Sequence, residues 1–120
     1  MPEQVVNAYG EVSPDGVEHF PIVQAKLARA AAEGPTLTAT DLGGITSRTL
    51  VMAGDDDLIH LEHTIALYRA IPHSELAIMP RTSHELLHEK PEPCTSLVTD
   101  FLTTDPVPTM VPIRRGNLGP

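Results

Sequence analysis

The 120-residue sequence predicts an α/β chain: a parallel strand–helix–strand–helix (βαβα) unit over residues 37–103, with helical sequence before it and a Pro-rich tail after it. Three observations predict it. Leu50-Val51-Met52-Ala53, entered through Thr49 and bounded by Arg48 and Gly54, is continuously apolar, as expected of a strand covered on both faces in a parallel sheet. A second short apolar run, Leu76-Ala77-Ile78-Met79, ends at Pro80. Between them, Leu61, Ile65, Tyr68 and Ile71 mark one face of a helix over about 61–71, stopped by Pro72. Strand, helix and strand within about 30 residues form a right-handed parallel crossover.

The remaining elements follow in order. Residues 1–16 are expected to be irregular, with Ser13-Pro14-Asp15-Gly16 carrying turn chemistry. A helix is expected over about 17–33, where Phe20, Val23, Leu27 and Ala30 or Ala31 recur at helical spacing in an Ala-rich stretch. Gly34-Pro35 stops it, Gly34 as a left-handed cap and Pro35 because it cannot continue. Thr38-Ala39-Thr40-Asp41 forms a capping box opening a single turn that Gly43-Gly44 ends. Pro91 and Pro93 suit the first turn of a last helix, about 91–103, lined by Leu97, Val98, Phe101 and Leu102. Residues 104–120 carry four prolines and end in Gly-Asn-Leu-Gly-Pro, predicting a poorly ordered tail.

Composition narrows the function classes. A formal charge of -8 argues against nucleic acid or an anionic membrane surface as a partner. No apolar run is long enough to span a bilayer, and no signal-peptide pattern follows Met1. The single cysteine, Cys94, excludes an internal disulfide framework, fits a reducing cytoplasm and reads as a buried inert thiol.

In an open parallel sheet, chemistry collects beyond the carboxyl ends of the strands. Asp55-Asp56-Asp57 follows the first strand and Arg81-Thr82-Ser83-His84 the second, so Asp57 and His84 stand 27 positions apart, one βαβ repeat. Neighbouring strands lie about 4.8 Å apart, so loops leaving their ends can bring an acid and an imidazole together. Such a carboxylate fixes the ring's tautomer and stabilises the imidazolium formed on proton transfer. Loop polarity alone is the plainer account of such residues, and spacing does not decide between the two.

Resemblance to a family does. The stretch Arg48-Thr49-Leu50-Val51-Met52-Ala53-Gly54-Asp55-Asp56-Asp57 resembles the penultimate strand and acid loop of the α/β-hydrolase superfamily, an apolar strand followed by Gly-x-x-Asp. Leu58 to His63 and Leu67-Tyr68-Arg69-Ala70-Ile71-Pro72 are similar to the helix that follows, and Ser74 to Pro80 to the last strand. Thr82-Ser83-His84 resembles the histidine loop, and Glu89-Lys90-Pro91-Glu92 the approach to the final helix. The resemblance runs over residues 41–103 and implies the C-terminal part of an α/β-hydrolase fold, with Asp57 as triad acid and His84 as general base. It further implies that residues 1–36 end a lid region, that a complete enzyme acts on a small-molecule substrate, and that neither metal nor organic cofactor is needed.

One part of the family pattern is missing. No Gly-x-Ser-x-Gly elbow occurs, since Ser13, Ser47, Ser74, Ser83 and Ser96 all lack flanking glycines at that spacing. The Gly-rich oxyanion loop is also absent. Two strands apolar on both sides need helices on both faces and further strands alongside, so one apolar edge is left open. The expectation is the carboxyl-terminal portion of a hydrolase, truncated, split or mis-started at Met1, inactive alone, its nucleophile Ser or Asp supplied elsewhere.

Two other classes compete. A non-catalytic fragment would pair through its open edge, as a homo-oligomer or with a complementing N-terminal half. His84-Glu85-Leu86-Leu87-His88 matches the His-Glu-x-x-His zinc-peptidase pattern, in which both histidines share a helical face and Glu85 activates a metal-bound water. Pro80 and Pro91 crowd any helix there, and Cys94 stands where the extended motif has a third histidine. Glu85, Glu89 and Glu92 read as a solvated face, and His60 and His63 as a solvated helix start.

Overall fold

The computed structural model describes residues 1–114. Within them the chain divides into two compact units, Met1–Thr36 and the part beginning at Leu37.

The first unit is helical from its start. Helix α1 spans Glu3–Val12, a three-residue 3-10 turn spans Val17–His19, and α2 spans Phe20–Glu33. The irregular start expected for residues 1–16 is therefore corrected. Val5, Tyr9 and Val12 already stand at helical spacing, and the weak point, Gly10, has a packing reason. A Cβ on Gly10 would lie 2.9 Å from Val17 Cβ, so the bare backbone lets the 3-10 turn come close. Tyr9 meets the buried Phe20 edge-on, ring centroids 5.3 Å apart. Gly34 ends α2 at φ -40 and ψ 173, an extended exit and not the left-handed cap expected. Pro35 accounts for the difference, because it disfavours helical geometry in the residue before it.

The second unit contains the strands. Helix α3, Ala39–Gly43, opens on a complete capping box: Asp41 N–H donates to the Thr38 hydroxyl at 3.2 Å, and Thr38 N–H donates to the Asp41 carboxylate at 2.7 Å. Strand β1 covers Thr49–Gly54, α4 Leu61–Ala70, β2 Ser74–Met79, α5 Leu86–Glu89 and α6 Pro91–Thr103. The two strands pair in parallel from Thr49↔Ser74 to Gly54↔Met79. Strand β2 begins two residues before its apolar run, because Ser74 and Glu75 pair with Thr49 and Leu50 even though they are polar.

Val51, Ala53, Ile71, Met79 and Cys94 are buried, while Leu50, Met52, Leu76 and Ile78 are only half-buried. The strands thus have the composition of a two-faced buried sheet with part of that cover. Arg48 ties the sheet to α6. Its guanidinium donates to Glu75 Oε2 at 2.7 Å and Oε1 at 3.3 Å, and to the Phe101 and Thr104 carbonyls at 2.9 and 3.0 Å. It also lies 4.3 Å from the Phe101 ring centroid, joining ion pair, helix end and cation–π contact in one group. The hydrogen bond with Glu75 holds the guanidinium above even its usual high pKa.

Two glycines give opposite expectations. A Cβ on Gly54 would run into the Thr82 and Ser83 carbonyls, whereas one on Gly43 would meet open space. Gly54→Ala should cost about 3 kcal/mol or more, the upper range of overpacking penalties. Gly43→Ala should be neutral or stabilising by up to about 1 kcal/mol. Urea melts of the two variants test this, and a Gly54→Ala protein as stable as the parent would contradict the packing.

Candidate active site

Parallel pairing brings the exits of β1 and β2 side by side, and backbone hydrogen bonds carry the contact past the strands. Asp55 N–H donates to the Met79 carbonyl and Asp56 N–H to the Thr82 carbonyl, both at 3.0 Å. In return Thr82 N–H donates to Asp55 Oδ1 at 3.1 Å. The N–H groups of Arg81 and Thr82 hold the Asp55 carboxyl below its ordinary pKa, so it stays an acceptor. Gly54 is what permits this approach, since the chain leaving β2 crosses where its side chain would be.

The second loop is braced separately. Arg81 sits at φ 50, a left-handed turn position that non-glycine residues adopt at some cost. The buried Thr82 donates its hydroxyl to the Pro80 carbonyl at 2.8 Å, and Lys90 Nζ donates to that same carbonyl. Ser83 donates twice to Glu89, from its N–H at 2.8 Å and its hydroxyl at 2.6 Å. Those donors, the hydroxyl foremost, lower the Glu89 pKa. Glu89 is exposed, as the sequence suggests, and at the same time braces the histidine loop through Ser83.

Between these braces the structure brings Asp57 and His84 together. His84 Nδ1 lies 2.9 Å from Asp57 Oδ1. The same oxygen accepts the Ile59 N–H at 2.9 Å, closing a short turn that aims the carboxylate. The Asp57 side chain is 5% exposed and the His84 side chain 54%. Asp57 has a lowered pKa, chiefly from the Ile59 N–H and then from His84, with burial acting the other way. An ionised Asp57 can only accept, so neutral His84 must carry its proton on Nδ1, leaving Nε2 with a lone pair. Chemically, the pair is an oriented proton acceptor at the edge of the sheet.

The other predicted groups lie differently. Asp56 is exposed and Asp55 braces the loop, so of the three aspartates only Asp57 reaches the imidazole. Helix α5 begins at Leu86, which leaves His84 outside it. His84 turns to Asp57 and His88 Nδ1 to Glu85 at 3.0 Å, so the shared helical face that a His-Glu-x-x-His metal site needs is not formed. No group of three or more His, Cys, Asp or Glu among the described residues could hold a metal ion. Cys94 is fully buried, its Sγ 3.4 Å from the Leu86 carbonyl. A concavity of about 620 Å³ runs along α6 past Thr95, Thr99 and Thr103, and neither Asp57 nor His84 lines it. No helix among the described residues is long and apolar enough to cross a membrane.

Sequence reasoning missed the bracing residues: Gly54, Asp55, Thr82 and the Ser83–Glu89 pair. Only Gly54-Asp55 at the strand exit carried a signal, because glycine at a strand end marks close backbone approach.

The depressed carboxyls make stability depend on acid. Asp55, Asp57 and Glu89 have lower pKa values folded than unfolded, so their contribution is whole above the unfolded value of about 4 and is lost as pH falls through the folded values. Urea midpoints should therefore hold near neutrality and drop below about pH 4. Asp55→Asn should lower the neutral midpoint and flatten the acid limb, and an unchanged limb would show that Asp55 braces nothing.

No family model matches the chain. Among solved structures it is similar to a serine hydrolase involved in carbazole degradation, the CarC enzyme, with a TM-score of 0.67 and 20% sequence identity. The similarity covers 88% of this chain and 41% of that one, so the chain spans less than half the length of that hydrolase. Likeness at this identity is a statement about fold: the mixed α/β architecture with its parallel pair of strands is part of an α/β-hydrolase fold.

Proposed function

We propose that this chain carries the acid and general base of an α/β-hydrolase-type enzyme that cleaves an ester, lactone or related bond in a small molecule. The observation that carries the proposal is the 2.9 Å contact between His84 Nδ1 and a buried Asp57 carboxylate. In this scheme His84 Nε2 takes the proton of a Ser nucleophile as it attacks the substrate carbonyl carbon. The imidazolium, stabilised by Asp57, then returns that proton to the leaving group. His84 next deprotonates water, which releases the second product. With an Asp nucleophile, His84 acts in the water step alone. The nucleophile comes from outside this sequence, which has no Gly-x-Ser-x-Gly elbow, and residues 1–36 are assigned to the end of a lid region. By itself the chain is then inactive, and its single reduced cysteine suits a cytoplasmic enzyme.

Two measurements test this. In the isolated chain, ¹⁵N-resolved NMR should find neutral His84 as the Nδ1–H tautomer, with Asp57→Ala removing that preference; an Nε2–H tautomer in the parent chain would break the proton path. Supplied with a nucleophile-bearing amino-terminal portion, in cis or in trans, the chain should hydrolyse a p-nitrophenyl ester. Asp57→Asn should then reduce kcat by about 10⁴-fold, and His84→Ala by at least as much. Activity surviving either substitution would remove the assignment.

A further inference from the structure

Where α4 ends and β2 begins, the structure holds a second constructed polar site, unconnected with Asp57 and His84. Helix α4 stops at Ala70, and Ile71 turns into extended geometry. This leaves the Tyr68 and Ile71 carbonyls, with that of Ser74, as acceptors at the negative end of the helix. The Ser74 side chain belongs to a fully buried residue, 1% exposed, and its hydroxyl lies 2.6 Å from the Tyr68 carbonyl and 2.8 Å from that of Ile71.

The Arg114 guanidinium fills this corner. Its Nη1 donates to the Ser74 carbonyl at 3.0 Å. Its Nη2 reaches the Tyr68 carbonyl at 2.7 Å, the Ile71 carbonyl at 2.6 Å and the Ser74 hydroxyl at 3.1 Å. The guanidinium carbon stands 4.2 Å from the Tyr68 ring centroid. Several acceptors reached from two nitrogens, with an aromatic ring against the same group, suit a flat, delocalised cation better than a point-charge ammonium.

The segment leading to Arg114 lacks comparable anchorage. Val107, Met110, Val111 and Ile113 are all at least 82% exposed. Among the described residues of this segment the apolar side chains stand out in solvent, and the Arg114 guanidinium ties it to the domain. The same construction recurs within the fold, where Arg48 lies over Phe101 and donates to the Phe101 and Thr104 carbonyls at the end of α6. Arg48 also has Glu75, whereas the Arg114 contacts are carbonyls, a hydroxyl and a ring.

We propose that the α4–β2 corner is a guanidinium-binding site, occupied in cis by Arg114, which latches the carboxyl-terminal segment to the domain. Its ligand class is an arginine side chain. With Arg114 removed, the corner accepts a free guanidinium.

The test uses the full chain and methylguanidinium, following the Tyr68 ring protons and the Ser74 amide by NMR, with methylammonium as the control cation. In the parent chain these signals should carry the shift of a stacked guanidinium and ignore added methylguanidinium. Arg114→Ala should lose that shift and regain it saturably with methylguanidinium, while methylammonium binds about fivefold more weakly or worse, one net hydrogen bond's worth. Arg114→Lys should fail to restore the parent signals. The proposal is overturned if Arg114→Ala leaves Tyr68 and Ser74 unshifted, if the two cations bind alike, or if lysine reproduces the parent spectrum.

Discussion

Gly54 ends β1 at the point where the chain leaving β2 crosses it, backbone against backbone, with the Thr82 carbonyl where a side chain would begin. Much of the candidate site follows from that contact. With the loops this close, Asp55 and Asp56 find their hydrogen-bond partners in the other loop, and Thr82 is drawn under cover. Asp57 is then carried one turn outward, closes on the Ile59 N–H, and arrives at His84 already ionised and aimed. The acid–base pair is thus the outermost layer of a structure built from main-chain bonds, and main-chain bonds hold position better than two solvated side chains can.

The histidine side of the pair is held by charge. Glu89 and Lys90, adjacent in sequence, reach back to opposite groups of the same loop: Glu89 accepts from Ser83, and Lys90 donates to Pro80. A left-handed Arg81 makes the turn between them tight enough for both to reach. His84 follows directly, outside α5 and turned toward Asp57, while His88 engages Glu85. The same local sequence that imitates a zinc motif therefore splits its two histidines between two carboxylates.

Guanidinium groups do the structural work that a larger core would do. The described residues bury few large side chains, and the aromatic residues are four. Two of those rings, Phe101 and Tyr68, each carry an arginine that also binds the carbonyls at a helix end. Each arginine joins elements distant in sequence: Arg48 links β1 to β2 and α6, and Arg114 links the tail to α4 and β2. Strand faces that are apolar in sequence stay half-exposed around this frame, as suits a chain whose fold matches part of a longer hydrolase.

The parallel βαβα order, the helix limits near Pro72 and Pro91, the Thr38 capping box and the spacing of Asp57 and His84 were legible in the sequence, because each depends on residues within a few positions or on one strand-to-strand repeat. Resemblance to a family chose Asp57 among three aspartates. Local patterns left helix α1 undecided, since Val5, Tyr9 and Val12 are helically spaced but Gly10 reads as a breaker until Val17 is seen against it, and they could not show the poly-carbonyl seat of Arg114 beneath a tail that composition marks as poorly ordered. That tail has no regular element over 104–114, and its remaining residues, 115–120, lie outside those described. Tertiary structure alone decided that Glu89 braces a loop, that Asp55 is a clasp, and that His84 faces a carboxylate and not a metal partner. The Glu89 brace depends on how the chain folds back to Ser83, and the Asp55 and His84 contacts on register and close approach across the strand gap, which no run of residues encodes by itself.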